Sequence, residues 1–396
     1  MHVIRLNGMK MTRKDQAIIT VVTILTISAL YTPQPVLPLL QDAFHLTRPT
    51  AALLVSVSLL PLGFAPLVYG LLLSKVPPRK MLQTSVSLLA ISEAAIALAD
   101  TFGWILSIRL VQGFLISASL TALMTTISGA ASSRTIGRNM ALYISSTIIG
   151  GFTGRFASGV IASFWGWRAS FWVMFFALAG AALLLFSFST GKKPEQYQPM
   201  RFSLLKEVVS RPLFLRVYVS VFCLFFVFAS LLNFLPFRLN ELTPGAPAIR
   251  SAFLYLGYLT GLIASLASTR SAGRIGGESK AIFLGFCVYL ISLGVFFLPR
   301  EEILYPAMFL FCGSMFFIHS LAPGLLNTRE RRHKGVVNGL YIAFYYLGGS
   351  LGSYIPGFVY RAWGWSAFLF CLAAVLATAV LVSGSMLKGQ RDDCAD

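Results

Sequence analysis

The chain contains two copies of one sequence pattern: residues 142–169 read LYISSTIIGGFTGRFASGVIASFWGWRA, and residues 340–367 read LYIAFYYLGGSLGSYIPGFVYRAWGWSA. The two stretches align without a gap at an offset of 198 positions, which is half the length of the 396-residue chain. Both keep a Leu-Tyr-Ile start, a pair of adjacent glycines and a Trp-Gly-Trp triplet. Self-similarity at a fixed period indicates a duplicated architecture. The sequence therefore predicts two halves of the same topology in parallel orientation, which is typical of transporters.

The composition is that of a membrane protein. Hydrophobic residues make up 56% of the chain and charged residues only 12%, whereas soluble domains are usually about 25% charged. Twelve bilayer-spanning helices of about 20 residues would use roughly 240 positions and leave roughly 150 for loops, termini and one longer linker. This composition argues against a soluble globular protein and for an all-α polytopic membrane protein.

Apolar runs bounded by charge, proline or glycine predict twelve membrane-spanning helices. They cover residues 17–40, 50–74, 80–99, 103–129, 138–163, 168–190, 213–237, 247–268, 280–298, 303–327, 335–360 and 365–387. In this division the repeat makes spans five and six recur as spans eleven and twelve. We therefore expect two pseudo-symmetric six-helix bundles, residues 1–190 and 213–396, joined by a cytoplasmic linker at 191–212.

The basic residues predict the orientation. The chain has 32 Lys and Arg against 14 Asp and Glu, a net charge of +18. Of the 32, 24 fall in the termini, the linker and the connections that follow even-numbered spans, six fall in the other connections and two fall inside spans. By the positive-inside rule both termini are cytoplasmic. Because the excess is spread over many short segments, it favours anionic lipid headgroups over nucleic acid as the counter-charge.

The two-times-six layout, the basic second-to-third loop, the Arg109-x-x-Gln112-Gly113 segment in span four and the glycine-rich span five resemble the major facilitator superfamily. Gln34-Pro35-x-x-Pro38, GGFTGRFASG and LYxxxYYLGG are similar to the YnfM-type branch of bacterial efflux proteins, near the arabinose-efflux-like drug:proton antiporters. The resemblance covers essentially the whole chain. It implies a multi-pass transporter of the bacterial inner membrane that moves a small organic solute by alternating access.

Span four carries an arginine and a glutamine. Arg109 is about six residues from the outer end of the span, and Gln112 follows on the same helical face with Gly113 beside it. A guanidinium facing lipid costs several kcal/mol, so Arg109 is expected to face the protein interior. In the resembled family this segment is implicated in proton coupling. A structural hydrogen bond between helices is the alternative.

Glu93 is the only carboxylate well inside any predicted span, and its depth matches that of Arg109. A Glu–Arg pair could release and take up a proton as a cavity opens and closes. The alternative is a fixed structural contact, because third helices of the resembled fold are peripheral. Span one, where many proton antiporters of the superfamily carry an acid, has none between Ala17 and Leu40.

Span five carries an arginine within a glycine stripe. Gly151, Arg155 and Gly159 recur every four residues, and Ser353 occupies the position of Arg155 in the second copy. A charge that is present in only one copy is not required by the shared fold of the two halves. Arg155 is therefore a candidate for binding an anionic or polar substrate. Small residues let helices approach closely. We expect packing or hinge roles for the glycines, namely Gly113, Gly150, Gly151, Gly154, Gly159, Gly348, Gly349, Gly352 and Gly357.

Histidine and tyrosine supply the remaining candidates. Because histidine as a residue type titrates near neutrality, His319 within span ten could carry a proton, although a buried structural histidine is the alternative. Five residues with hydrogen-bonding groups follow the faces of spans one and eleven, where they could line a small-molecule site. They are Tyr31, Gln34, Asn338, Tyr341 and Tyr345. Lipid contact and helix packing explain most aromatic residues in such a chain, so packing is the alternative here too.

The second-to-third loop reads GLLLSKVPPRKM from Gly70 to Met81. Arg79 and Lys80 match the basic residues that the resembled family has there. Ser74 or Lys75 stands where the family has an acid that helps to latch the cytoplasmic side shut. We therefore expect this latch to be weakened or replaced.

The motifs of other function classes are missing. The sequence contains no P-loop, no Rossmann glycine run, no convincing nucleophile triad and no ligand spacing for a metal. We therefore expect no enzyme activity, no cofactor and no metal. The sequence predicts a monomeric, proton-coupled efflux transporter. An importer or uniporter of a polar metabolite, a transporter of a lipid-like substrate and a receptor-like membrane protein remain as alternatives.

Overall fold

The computed structural model describes residues 12–73, 75–130, 136–187, 202–245, 247–330 and 333–392. In this part of the chain nearly every residue is helical, and nine helices are long and apolar enough to cross a membrane. Three more helices occupy the remaining predicted spans and are less apolar, because they carry basic, hydroxyl and glycine residues. The expected all-α polytopic fold is confirmed.

Twelve spanning segments follow one another in the described chain. They are α1 (Arg13–Ala43), α2 (Arg48–Gly70), α3 (Pro78–Ala97), α4 (Phe102–Ala130), α5 (Ile136–Trp165), α6 (Trp167–Phe186), α7 (Pro212–Leu242), α8 (Ala248–Ile275), α9 (Glu278–Val295), α10 (Glu301–Arg329), α11 (Lys334–Gly352 and the part of Pro356–Asp392 before Gly364) and α12 (the part after Gly364). A short helix, Phe202–Ser210, precedes α7. The predicted linker at 191–212 lies outside the described residues up to position 201, so its boundaries stay a prediction.

Proline and threonine set where the first helix begins and breaks. Thr12 caps α1 reciprocally with Asp15, whose amide donates to Thr12 Oγ1 at 3.1 Å while its carboxylate accepts from the Thr12 amide at 3.2 Å. Pro33 and Pro35 then interrupt the α-helical hydrogen bonds, and one 3-10 turn, Gln34–Val36, replaces them. The second half of α1, Leu37–Ala43, continues after this break.

The repeat seen in the sequence is also a repeat of structure. Both Trp-Gly-Trp triplets turn the chain through a left-handed glycine, Gly166 with φ +77° and Gly364 with φ +78°, a conformation that side chains disfavour. In the first half Gly150 packs against Ile24, and in the second half Gly348 packs against Phe222. Each pair is 126 positions apart. The two six-helix bundles are therefore pseudo-symmetric, with α1 against α5 in one and α7 against α11 in the other.

Apolar side chains cover the outside of the bundle. Examples that are at least 60% exposed come from five of the spans: Ile91, Leu183, Ile263, Leu266, Ile291, Phe370 and Leu381. Exposed Trp165 and Trp363 lie at one end of it, as expected where a helix meets the headgroups. We call this the outer end, because the predicted topology places it away from the cytoplasm.

Candidate functional site at the interface of the two halves

Noncovalent polar contacts join the two halves near the outer end. Arg48 at the start of α2 forms an ion pair of 2.6 Å with Glu241 of α7, and its guanidinium lies 4.6 Å from the ring centroid of Tyr360. On the other side of the interface, the Ile249 amide of α8 donates to Ser163 Oγ of α5 at 2.6 Å. These contacts join helices of different halves.

A chain of hydrogen bonds crosses the interface further in. Arg155 of α5, which is 1% exposed, donates through Nε to Gln34 Oε1 and through Nη1 to the Gly151 carbonyl at 2.6 Å. Gln34 Nε2 donates to Asn233 Oδ1 of α7. Asn233 Nδ2 in turn donates to the Ser353 carbonyl at 3.2 Å. Through Gln34, Arg155 is thereby connected to α7 of the opposite half and to the Ser353 carbonyl beyond it.

Three tyrosines surround the Arg155 guanidinium. Its central carbon lies 3.7 Å from the ring centroid of Tyr31, 4.9 Å from that of Tyr258 and 5.6 Å from that of Tyr255. Aromatic faces attract cations within about 6 Å. Among the described residues Arg155 takes part in no ion pair. The arrangement is a buried cation in an aromatic cage without a carboxylate, and it can attract an anion.

The residues around Arg155 lie at two helix breaks and at one glycine. Gln34 belongs to the 3-10 turn that breaks α1, and Tyr255 belongs to the 3-10 turn, Tyr255–Gly257, that breaks α8. A Cβ on Gly151 would lie 3.2 Å from both Arg155 Nη1 and Tyr258 Cε1. Glycine at this position therefore lets the guanidinium and the ring share the space beside α5.

A second group of aromatic side chains adjoins the tyrosine cage. His319 Nδ1 and Tyr341 Oη are 2.7 Å apart, and the Tyr345 ring lies 4.6 Å from the His319 ring. Tyr345 also stacks on Phe225 of α7 at 3.9 Å. The Phe225 ring lies 6.3 Å from the Phe228 ring, which lies 5.8 Å from the ring of Tyr258 in the cage. The structure therefore brings His319, Tyr341 and Tyr345 next to the cage, while their roles stay predictions.

Asn338 lies apart from this group. Its side-chain amide and that of Asn327 in α10 bond reciprocally, at 3.0 and 3.2 Å. This pairing ties α10 to α11 near their cytoplasmic ends, as the predicted topology has them. The structure thus brings four of the five polar residues of spans one and eleven together and places Asn338 elsewhere.

Arg109 is buried at the break of α1. Its Nη1 donates to the Ala29 carbonyl at 3.1 Å and its Nη2 to the Leu30 carbonyl at 2.7 Å. The Ala29 carbonyl is free to accept because residue 33, which would donate to it in a continuous helix, is a proline without an N–H. Arg109 Nε donates to the Leu54 carbonyl of α2 at 2.9 Å. One guanidinium thus holds α4 against α1 and α2.

Gln112 joins Arg109 to Glu93. Its Oε1 accepts from Arg109 Nη1 at 2.6 Å, and its Nε2 donates to Glu93 Oε1 at 3.0 Å and to Ser92 Oγ at 2.9 Å. Glu93 is fully buried, and its Oε2 has no hydrogen-bond partner within the described residues. Glu93 and Arg109 form no direct ion pair in the described chain. The Gln112 side-chain amide lies between them and bonds to both.

The glycines and the loop residues have structural surroundings. Gly113 lies against Pro61, Gly159 against Ala252 of the other half and Gly357 against Pro49 of the other half. In the second-to-third loop, Arg79 Nη2 donates to the Phe186 carbonyl at the end of α6 at 2.7 Å. Buried Gly70 and exposed Lys80 have no such bond in the described chain, and Ser74 lies outside the described residues. The functional roles of these residues remain predictions.

The sequence reasoning missed three residues of the cage and its hydrogen-bond chain: Asn233, Tyr255 and Tyr258. A signal existed for Asn233, since an amide within the largely apolar span seven requires a buried partner. Tyr255 and Tyr258 are spaced three apart on one face of span eight. Nothing in that spacing indicates that Arg155, about 100 positions away, lies against them.

Comparison with known proteins agrees with this architecture. The sequence matches the Major Facilitator Superfamily over residues 19–329. It is 28% identical over 364 residues to the inner membrane transport protein YnfM of Escherichia coli, covering 90% of this chain and 86% of that protein. It is 24% identical over 370 residues to an uncharacterized transporter of Buchnera aphidicola from Schizaphis graminum, covering 91% and 88%.

A solved structure has the same fold. It is that of a bacterial homologue of the human lysosomal transporter Spinster, in an inward-facing and occupied conformation. It superimposes with a TM-score of 0.77 at 14% identity and covers 95% of this chain and 96% of that chain. The repeat, the two six-helix bundles and the sequence match over most of the chain agree: the chain belongs to the Major Facilitator Superfamily.

Proposed function

We propose that this protein is a secondary transporter of the bacterial inner membrane, which exports a small organic solute in exchange for protons. Both termini are cytoplasmic, and the halves, residues 1–190 and 213–396, rock about the interface that contains Arg155. Parallel repeats with a site between them support alternating access. The name of the YnfM relative supports the inner membrane.

One observation carries the proton coupling: a connected path runs from a buried carboxyl to the candidate binding site. Glu93 bonds to Gln112, and Gln112 bonds to Arg109. Arg109 holds the Ala29 and Leu30 carbonyls of α1. The next residue of α1 is Tyr31, which faces Arg155. Loss or gain of a proton at Glu93 changes its bond to Gln112 and so changes what holds α1 in place.

The test is substrate-evoked proton movement in inverted membrane vesicles with an imposed pH gradient. The panel contains dyes, siderophores, sugars, amino-acid derivatives and substituted benzoates. We expect proton movement with at least one compound in the wild type and a loss of about tenfold or more in Glu93→Gln, as for removal of an acid–base group. Glutamine preserves the acceptor for Gln112, so the fold is retained.

The matched control is Glu302→Gln, which removes an exposed carboxylate at the start of α10. It should leave the proton movement unchanged. Wild-type proton movement that persists in Glu93→Gln contradicts the assignment of coupling to Glu93. Compound uptake without any proton movement contradicts exchange and favours a uniporter.

A uniporter of a polar metabolite is the second candidate. It is favoured by one observation, namely that the guanidinium of Arg109 already has four acceptors, three of them backbone carbonyls. An arginine held in this way is stable without a proton-exchanging partner. In a uniporter, Glu93→Gln changes neither the rate of flux nor its dependence on the pH gradient.

A further inference from the structure

We propose that Arg155 binds the anionic group of the transported solute, and that the solute is an aromatic organic anion with a carboxylate. This inference rests on the proposed transport function and names the class of substrate. The carboxylate pairs with the guanidinium, and the aromatic ring packs among Tyr31, Tyr255 and Tyr258. The second copy of the repeat has Ser353 at the equivalent position. The repeat therefore places an arginine at this position in the first half alone.

The charge of the cage is unbalanced. Arg155 is buried, and the groups that contact it are neutral: the Gln34 amide, the Gly151 carbonyl and the three tyrosine rings. A buried ion is costly unless a counter-ion compensates it, and ionisable residues within a membrane protein mark substrate pathways. A carboxylate supplied by the solute provides the compensation that the described residues do not.

The Arg155 guanidinium has more N–H donors than the hydrogen bonds described above use. The guanidinium has five N–H donors, and two of them bond to Gln34 Oε1 and to the Gly151 carbonyl. The planar fork of arginine matches the two oxygens of a carboxylate, which accept two parallel hydrogen bonds. An anion on the Nη side of Arg155 can therefore be bound without breaking the bond from Nε to Gln34.

The surroundings select an aromatic body for this anion. Tyr31 comes from α1 of the first half, whereas Tyr255 and Tyr258 come from α8 of the second half. Aromatic rings prefer to pack against one another in offset or edge-to-face arrangements. A planar ring that enters between these tyrosines when the interface opens contacts both halves at once. Binding is thus coupled to the interface that must rearrange during transport.

The experiment measures binding directly, so it does not depend on proton coupling. The purified full-length protein in lipid nanodiscs is heated with 4-hydroxybenzoate or with its neutral analogue 4-hydroxybenzamide, and unfolding is followed by tryptophan fluorescence. A ligand that binds the folded state raises the unfolding temperature. We expect the benzoate to stabilise the wild type at concentrations at which the amide does not.

Three variants test the role of the charge. Arg155→Gln should weaken benzoate binding by about tenfold or more, as expected when a charged donor to a buried anion is removed. Arg155→Lys keeps the charge without the planar fork and should bind with intermediate affinity. The matched control Arg361→Gln removes an exposed arginine of α11 and should bind as the wild type does.

Equal stabilisation by benzoate and benzamide in the wild type overturns the proposal, as does absence of binding by either. Unchanged benzoate affinity in Arg155→Gln overturns it as well. Should Arg155→Gln not fold, Arg155→Lys decides: benzoate affinity equal to that of the wild type contradicts paired recognition. If benzoate binding requires Arg155 but no proton exchange is measured, only the proposed proton coupling is refuted. If proton exchange is measured but benzoate binding does not require Arg155, only the proposed substrate class is refuted.

Discussion

At the scale of single residues, Arg109 compensates for a proline. Pro33 removes the N–H that would satisfy the Ala29 carbonyl, and Arg109 Nη1 satisfies that carbonyl from another helix. The same guanidinium binds the Leu30 and Leu54 carbonyls. The break in α1 and the buried arginine are thus two parts of one arrangement, and each explains why the other is tolerated.

This dependence can be measured with a double-mutant cycle. We expect Arg109→Ala to lower the free energy of unfolding by several kcal/mol, since each buried carbonyl left without a partner costs about 1–3 kcal/mol. In a Pro33→Ala background the restored N–H at position 33 satisfies Ala29. The cost of Arg109→Ala should then be about 1 kcal/mol smaller.

The measurement is chemical unfolding of the four proteins in the same detergent. The double mutant is compared with the sum of the single substitutions. Additive effects would mean that Arg109 and the proline break act independently. That outcome would contradict the interpretation that Arg109 replaces the hydrogen bond lost at Pro33.

Sequence reasoning identified the isolated polar residues better than their partners. A guanidinium or a carboxylate within an apolar span must face the protein interior, so the burial of Arg109, Glu93 and Arg155 followed from their positions alone. Their partners are distant in the sequence: Arg155 and Gln34 are 121 positions apart, and Gln34 and Asn233 are 199 apart. Without the tertiary arrangement, nothing in the sequence pairs them.

At the scale of helices, glycines bring pairs of spans into backbone contact. Gly154 of α5 lies so close to Ser28 of α1 that an added Cβ would be 2.6 Å from the Ser28 Cα. Gly352 has the same relation to Phe226 of α7, where the corresponding distance is again 2.6 Å. The repeated Gly-Gly-x-x-Gly pattern thus corresponds to the same close helix contact in both halves.

Replacing one of these glycines should separate the two helices. We expect Gly154→Ala to lower the free energy of unfolding by about 1–3 kcal/mol, the cost typical of overpacking. The matched control is Gly180→Ala in α6, where an added Cβ meets nothing within 4 Å. There alanine should raise stability by about 0.5–1 kcal/mol through its helix propensity. Unfolding measurements that show the same effect for both variants would contradict the close contact.

The breaks in α1 and α8 differ in how far the sequence predicts them. Pro33 and Pro35 make the first break visible in the sequence. The second break, Tyr255–Gly257, contains no proline. It occurs where Gly257 approaches the Met308 carbonyl of α10, with an added Cβ only 2.5 Å from that oxygen. Such a break follows from packing between helices and has no local signal.

At the scale of the whole molecule, α2 and α11 form a contact that alternating access must separate. Ser56 Oγ donates to the Ser350 carbonyl at 2.6 Å, and the two hydroxyl oxygens are 3.3 Å apart. The outer ion pair of Arg48 with Glu241 belongs to the same interface. A covalent link between α2 and α11 should therefore stop transport.

We expect Ser56→Cys and Ser350→Cys, in a chain whose five native cysteines are replaced, to crosslink on mild oxidation. A short separation of this kind suits disulfide formation. Flux into inverted vesicles should fall to background on oxidation and recover after reduction. Ser56→Cys alone is the control and should be indifferent to the oxidant. Normal flux through the crosslinked protein would show that these helices do not part during the cycle.

The single Arg155 of the interface also has an electrical consequence. A charge held within a bilayer experiences the transmembrane field, and moving it across the full thickness is worth about 2.3 kcal/mol per 100 mV. Only one half of the molecule carries it, since position 353 is a serine, so rocking the halves displaces an unbalanced charge. The equilibrium between the two orientations then depends on voltage in the empty protein. On the proposal that Arg155 binds an anionic solute, the bound anion cancels that charge, and the equilibrium of the loaded protein depends less on voltage than that of the empty protein.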